Sequence, residues 1–208
     1  MSADEGPPVL TAGTAPSEAD AAVVLLHGRG ATAQNILGMA SEFHRPDLTF
    51  LAPQAPGDAW FPQSFLAPLE ANEPQLSAAL DAVEGILSRA RGVGIPTERT
   101  LLLGFSQGAC VASEFAARNP TRYGGVVALS GGLLGDVVDD DYAGDFDGTP
   151  AFFGCSDDDS HIPEERVHAS ASAFEALGAD VTERIYEGMG HTVSEDELDD
   201  VAPRIENL

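Results

Sequence analysis

The sequence predicts an α/β fold, a doubly wound and mostly parallel sheet with helices on both faces, and three observations carry that reading. Several short apolar runs are nearly unbroken and each is closed by a nearby Gly, the pattern of strands covered on both faces. Between them, apolar residues recur at helical spacing. The two patterns alternate along the chain, which implies right-handed crossovers and a layered α/β sheet.

Taken in order, residues 1–20 are polar and rich in Ala, Pro and Thr, and are expected to form an arm that adds an edge hairpin around Val9 and Leu10. Val23 to Leu26 is the first buried strand, and Leu48 to Leu51 is a weaker one. Leu76, Ala79, Leu80, Val83, Ile86 and Leu87 then mark a helix. Thr100 to Leu103 is a strand, followed by a helix carrying Cys110, Val111, Glu114 and Phe115. Val126 to Leu129 and Ala151 to Phe153 are strands separated by a long loop rich in Asp and Gly, Leu133 to Gly148. Val167, Ala171, Phe174 and Leu177 mark the next helix, Val181 to Tyr186 alternates as a strand, and a last helix starts near Glu195 and continues poorly past Pro203. No repeat or linker divides the chain, so residues 1–208 are expected to form a single domain.

Composition narrows the function. Thirty-four acidic residues face ten basic ones, all Arg, for a formal net charge of -24, and Lys is absent. Nucleic-acid binding is excluded, because such binding places cations on phosphates, and anionic membrane surfaces are disfavoured for the same reason. No apolar run approaches the ~20 residues that span a bilayer, so no stable membrane insertion is expected. Cys110 and Cys155 do not make a disulfide framework, and Met-Ser-Ala-Asp-Glu-Gly-Pro-Pro has neither a basic start nor an apolar stretch, which together predict a cytoplasmic location.

In open α/β sheets the site lies at the carboxyl ends of the strands. Gly104-Phe105-Ser106-Gln107-Gly108 follows a strand and opens a helix, the Gly-x-Ser-x-Gly context in which a strained turn exposes a serine hydroxyl. A serine needs a base, and the base a partner to orient it. Asp157, Asp158 and Asp159 follow the strand at Phe153, and His191 lies in the Gly-Met-Gly-His-Thr loop after the last strand, giving the order Ser, Asp, His. The oxyanion donors are expected to be the N–H groups of Gln107 and of Arg29, in the loop His27-Gly28-Arg29-Gly30.

These motifs resemble the carboxylesterase/phospholipase family of small α/β-hydrolases, which includes the acyl-protein thioesterases. The likeness rests on Leu26-His27-Gly28-Arg29-Gly30, Gly104 to Gly108, Asp157-Asp158-Asp159-Ser160-His161-Ile162-Pro163 and Gly190-His191. It implies an α/β-hydrolase fold and hydrolysis of carboxylic esters or thioesters without a cofactor. Aligning Ile162-Pro163 with the end of the family's acid-loop turn selects Asp159 as the triad acid; Ser160 and His161 depart from that turn. A single Trp in the Pro-rich loop Pro53 to Phe61 reads equally as a plug of the core edge; the resemblance makes that loop a pocket wall, with Trp60, Phe61 and Phe65 as apolar substrate contacts, and Leu133 and Leu134 are placed opposite.

Other clusters read as structure. His27 is a loop-stabilising residue, and His44 and His168 have no constellation around them. The run Asp157 to Asp159 is not expected to hold a metal, since adjacent carboxylates do not share a side. The short connection from Leu133 to Gly148 leaves no room for a large cap, which favours small or flexible esters, and the negative surface favours neutral ones unless salt screens it or Arg29 offsets it at the mouth. A lysophospholipase, thioesterase or dienelactone-hydrolase-like activity shares the motifs, a non-catalytic binding protein is the rival from another class, and a homodimer is left open. The Lys-free acidic coat predicts a salt-requiring, halophilic protein, because carboxylate repulsion at low salt opposes compactness and is screened within roughly 3 Å at 1 M. Its unfolding midpoint should rise between dilute buffer and molar KCl; a flat or falling midpoint contradicts this.

Overall fold

The computed structural model describes residues 6–43, 45–138 and 142–208; His44 lies outside the described residues. Seven strands form one sheet: β1 (Val9–Gly13), β2 (Ala21–Leu26), β3 (Leu48–Pro53), β4 (Thr100–Phe105), β5 (Gly125–Leu129), β6 (Pro150–Ser156) and β7 (Asp180–Tyr186). Their order is β1-β3-β2-β4-β5-β6-β7, all parallel except β1, which runs antiparallel along β3 from Val9↔Pro53 to Gly13↔Thr49. The order reverses direction between β2 and β4. Loops leaving the carboxyl ends of those two strands diverge there, and the crevice between them is where such sheets bind ligands.

Five helices cover the faces: α1 (Ala33–Leu37), α2 (Gln75–Gly92), α3 (Gln107–Arg118), α4 (Glu164–Ala176) and α5 (Glu195–Glu206). Alternation along each strand splits the core in two. Val24, Leu102, Val126 and Phe153 pack with Val83, Val111 and Phe174 of α2, α3 and α4, whereas Val23, Leu101, Leu103 and Phe152 pack with Ile36 of α1 and with Val201 and Ile205 of α5. The connection from β5 to β6 contains no helix or strand among the described residues, so the sheet edge carries no cap domain.

Two elements differ from the sequence expectation. The N-terminal arm contains a strand but no hairpin: β1 skips its chain neighbour β2 and adds to β3, the exposed edge. The turn leaving it needs Gly13, whose φ is 76° and where a Cβ would lie 2.4 Å from the Leu48 carbonyl oxygen. The last helix runs through Pro203 to Glu206. Proline removes one helical hydrogen bond there, a cost of roughly 3 kcal/mol, but Val201 and Ile205 on either side are fully buried, each contributing about 1.5–3 kcal/mol. Local propensity loses to packing.

The amino end of α5 bears on the site because it follows His191 directly. Ser194 caps it, accepting the Glu197 N–H at 3.1 Å. The Glu197 side chain turns inward against β6, where a Cβ on Gly154 would sit 2.2 Å from its Oε1. It is fully buried, and neither carboxyl oxygen has a hydrogen bond of normal geometry. Burial pushes its pKa up to about 8, with the Ser194 backbone only partly offsetting it. Because this folded-state pKa lies above the ordinary 4.5, the stability tied to the proton is complete below about pH 4.5 and is lost as pH rises through 8. Glu197→Gln should therefore raise Tm by several degrees at pH 9 and by little at pH 5, as thermal unfolding would report. An equal shift at both pH values contradicts a buried, proton-holding carboxyl.

Candidate active site

Ser106 joins β4 to α3 with φ 55° and ψ −120°, a left-handed conformation that is strained for a residue with a side chain. The strain persists because the neighbours close in around it. A Cβ on Gly104 would lie 2.2 Å from the Gly108 carbonyl oxygen, and one on Gly108 would lie 2.0 Å from that of Leu26. Only glycine at both positions lets the turn, the start of α3 and the end of β2 come together. The Ser106 N–H donates to the Leu129 carbonyl at 2.9 Å, so the backbone is tied to β5 while the hydroxyl faces outward.

The loops after β6 and β7 deliver the other two groups. His191 Nε2 lies 2.9 Å from Ser106 Oγ, and His191 Nδ1 lies 2.8 Å from Asp159 Oδ2. Asp159 has a fully buried side chain, yet its pKa is held below the ordinary carboxylate value. Burial alone would raise it, but His191 and the N–H groups of His161 (2.8 Å) and Ile162 (3.0 Å) outweigh that by hydrogen-bonding the charged form. The other two carboxylates of the run have different partners: Asp157 accepts from the Gly188 N–H, and Asp158 from the Gly190 N–H and the Ser156 hydroxyl. They shape the His191 loop from below. The imidazole of His191 is bracketed by rings, Phe105 at 5.0 Å and His161 at 4.7 Å between centroids.

Arg29 and Gln107 both line the cleft that holds Ser106. Among the described residues, neither backbone N–H has an acceptor, so both are available beside Ser106. Their side chains grip a single loop. The Arg29 guanidinium donates to the carbonyls of Phe61 (2.9 Å), Pro62 (3.0 Å) and Gln63 (2.7 Å). Gln107 accepts the Trp60 N–H and donates to the Phe61 carbonyl, both at 2.8 Å. The same residues that present the amides therefore also hold the wall of the cleft.

That cleft has a volume of about 330 Å³, with Phe61, Phe65, Gln63, Ser64, His161 and Ile162 around Ser106 and His191. Phe61 and Phe65 stand where the sequence put them. Trp60 and Leu133 do not. The Trp60 indole is buried, donates to the His27 carbonyl at 2.8 Å and faces a separate groove beside α2; Leu133 is fully buried, its N–H bound to Ser170 and its carbonyl to Arg166. The opposite wall is supplied by the acid loop, through His161, which departs from the family's turn, and Ile162, which served to align it.

His27 is buried under the cleft. Its Nε2 accepts the Ala55 N–H at 3.1 Å, so Nδ1 carries the proton and donates to the Gly28 carbonyl at 2.8 Å, fixing the loop that carries Arg29. Burial pushes the thiol of Cys110 up to about 12, and that of Cys155 likewise, so both stay neutral and poorly nucleophilic. Cys110 forms part of the cleft floor. His168, without partners on sequence grounds, bridges Glu164 and Glu183 at the surface. No described group of three or more His, Cys, Asp or Glu side chains could hold a metal ion.

The profile of the Phospholipase/Carboxylesterase family matches residues 12–208. The chain belongs to this family. A crystal structure of a phospholipase/carboxylesterase from Dyadobacter fermentans is 38% identical, superposes with a TM-score of 0.93 and covers 99% of both chains. Acyl-protein thioesterase 1 of Gibberella zeae is 28% identical over 211 residues, 90% of each chain, and its namesake from Candida albicans is 29% identical over 92% of this chain and 94% of its own. The protein is thus a hydrolase of the phospholipase/carboxylesterase type with the α/β-hydrolase fold. No helix among its described residues is long and apolar enough to cross a membrane.

The Arg29 clamp generates a prediction. Arg29→Met keeps the backbone amide but removes three charge-assisted hydrogen bonds from the cleft wall. It should lower kcat/KM on a butyrate ester by about tenfold or more while Tm changes little. Unchanged kinetics would mean that the loop holds its position without the guanidinium.

Proposed function

We propose that this phospholipase/carboxylesterase family member is a serine carboxylic-ester hydrolase. Ser106 Oγ attacks the acyl carbon while His191 Nε2 takes its proton. The N–H groups of Arg29 and Gln107 receive the oxyanion, each such donor being worth about 2.7–4 kcal/mol of barrier in related chemistry. Asp159 holds the imidazole with Nδ1–H toward itself and stabilises the imidazolium. Collapse of the tetrahedral adduct expels the alkoxide, which leaves with the proton from His191. Water then attacks the acyl-enzyme, giving up its proton to His191, and a second collapse releases the carboxylic acid and regenerates Ser106.

The observation that carries this reading is the unbroken hydrogen-bonded line from Ser106 through His191 to Asp159, with hydrogen bonds of 2.9 and 2.8 Å, at the point where the strand order reverses. The strained backbone of Ser106 supports it, since strain of this kind collects at functional sites. An uncapped cleft of about 330 Å³ favours small or flexible acyl groups. The thioesterase relatives keep a sulfur leaving group as the second reading: the acyl-enzyme steps are the same with thiolate in place of alkoxide. The acidic, Lys-free composition supports a salt-rich setting, the two free cysteines support a cytoplasmic one, and the single sheet supports one catalytic domain.

Ser106→Ala should reduce turnover of p-nitrophenyl acetate or butyrate in molar KCl by about 10⁴-fold or more. Retained turnover would remove Ser106 as the nucleophile. The wild type run on matched oxygen and thioesters ranks the two leaving atoms.

A further inference from the structure

The chain carries 34 acidic residues, yet among the described residues none that lines the cleft is Asp or Glu. Three of them, Arg29, His161 and His191, have side chains able to carry positive charge. The sequence had pointed to Arg29 as the cation that offsets the acidic surface at the mouth. Arg29 stays exposed and charged at the cleft, but its guanidinium already donates to the carbonyls of Phe61, Pro62 and Gln63 and is held on that loop. His191 is held between Ser106 and Asp159. The remaining group is His161. Its ring is exposed, stands edge-on to His191 at 4.7 Å, and makes no hydrogen bond or ion pair among the described residues.

That vacancy is unexpected in an acid loop that contains three carboxylates. Each of the three has other partners: Asp157 faces Gly188, Asp158 faces Gly190 and Ser156, and Asp159 faces His191. The backbone of His161 is nonetheless fixed, its N–H bound to Asp159 Oδ1 at 2.8 Å, so the ring keeps a set position relative to the reacting groups. An imidazole offers one N–H donor when neutral and two with a positive charge when protonated. It stands beside His191, the group from which the leaving group takes its proton.

We propose that His161 is a specificity-determining residue that accepts an anionic group, a carboxylate or a phosphate, on the alcohol portion of the ester. The inference rests on the serine-hydrolase reading and names a substrate class for that same cleft. It separates two effects of charge. The acidic surface opposes the approach of an anion over a distance that molar salt screens to roughly 3 Å. A wall whose described residues include no carboxylate, with an available imidazole, favours the same anion once it is bound.

The test compares 3-acetoxybenzoate with 3-acetoxybenzamide, two acetyl esters of similar shape of which only the first carries a charge, at neutral pH in 1 M KCl. Wild type, His161→Leu and His161→Gln are each assayed, with p-nitrophenyl acetate as a third substrate. The ratio of kcat/KM for the carboxylate over the amide should fall by about tenfold in His161→Leu and recover in part in His161→Gln, which keeps an N–H donor. An unchanged ratio, or an equal loss on both esters, would reduce His161 to a packing residue against His191 and overturn the proposal. Failure of the wild type on all three esters would instead strike the hydrolase reading, and the proposal with it.

Discussion

The close approach of β2, β4 and the first turn of α3 is the constraint on which the site depends. Carbonyl groups of Leu26 and His27 lie where a side chain on Gly108 would have to go, and the Gly108 backbone occupies the space beyond Gly104. With both positions bare, β4 can turn into α3 without spreading the sheet, and Ser106 is forced into a positive φ that lifts its hydroxyl clear of the strand ends. The conformation is unfavourable in isolation and is maintained by what surrounds it: the bond to Leu129, the buried core under α3 and the hydrogen-bonded loop on the opposite side.

From that point the site is assembled by backbone tethers. Asp159 is surrounded by donors before any substrate arrives, so the carboxylate stays charged in a buried place and keeps His191 turned toward Ser106. Arg29 and Gln107 connect the two amides beside Ser106 to the Phe61 loop, so the groups expected to receive the oxyanion and one wall of the cleft belong to one hydrogen-bonded unit. A displacement of that loop would be felt at both. Beneath, His27 fixes the loop from below through Gly28 and Ala55.

Much of this was legible in the residues. The alternation of apolar runs with helical spacing recovered β2 to β7 and the longer helices, because buried parallel strands announce themselves by unbroken hydrophobicity. Ser106, Asp159 and His191 stood in recognisable loops, and the structure brings the three together. What could not be read were partners set by tertiary contact. Nothing in the N-terminal arm says that β1 will add to β3 rather than fold back as a hairpin. Pro203 signals an end to α5 that the burial of Val201 and Ile205 overrides. Trp60 read equally as a core plug or, through the family resemblance, as a pocket residue; its indole N–H donates to the His27 carbonyl and the ring is buried. The direction in which the Arg29 guanidinium points follows from three carbonyls some thirty residues away.

The charge balance of the molecule is therefore uneven in a way that composition conceals. A net charge of -24 belongs to the chain as a whole, while none of the described residues that line the cleft is a carboxylate. The central claim remains that Ser106 is the acylated nucleophile. Labelling of the folded protein in molar KCl with a fluorophosphonate, followed by peptide mass mapping, tests it most directly. A single adduct on the peptide containing Ser106, lost when the protein is unfolded first, is the predicted result; no adduct, or an adduct on a different residue, would contradict it.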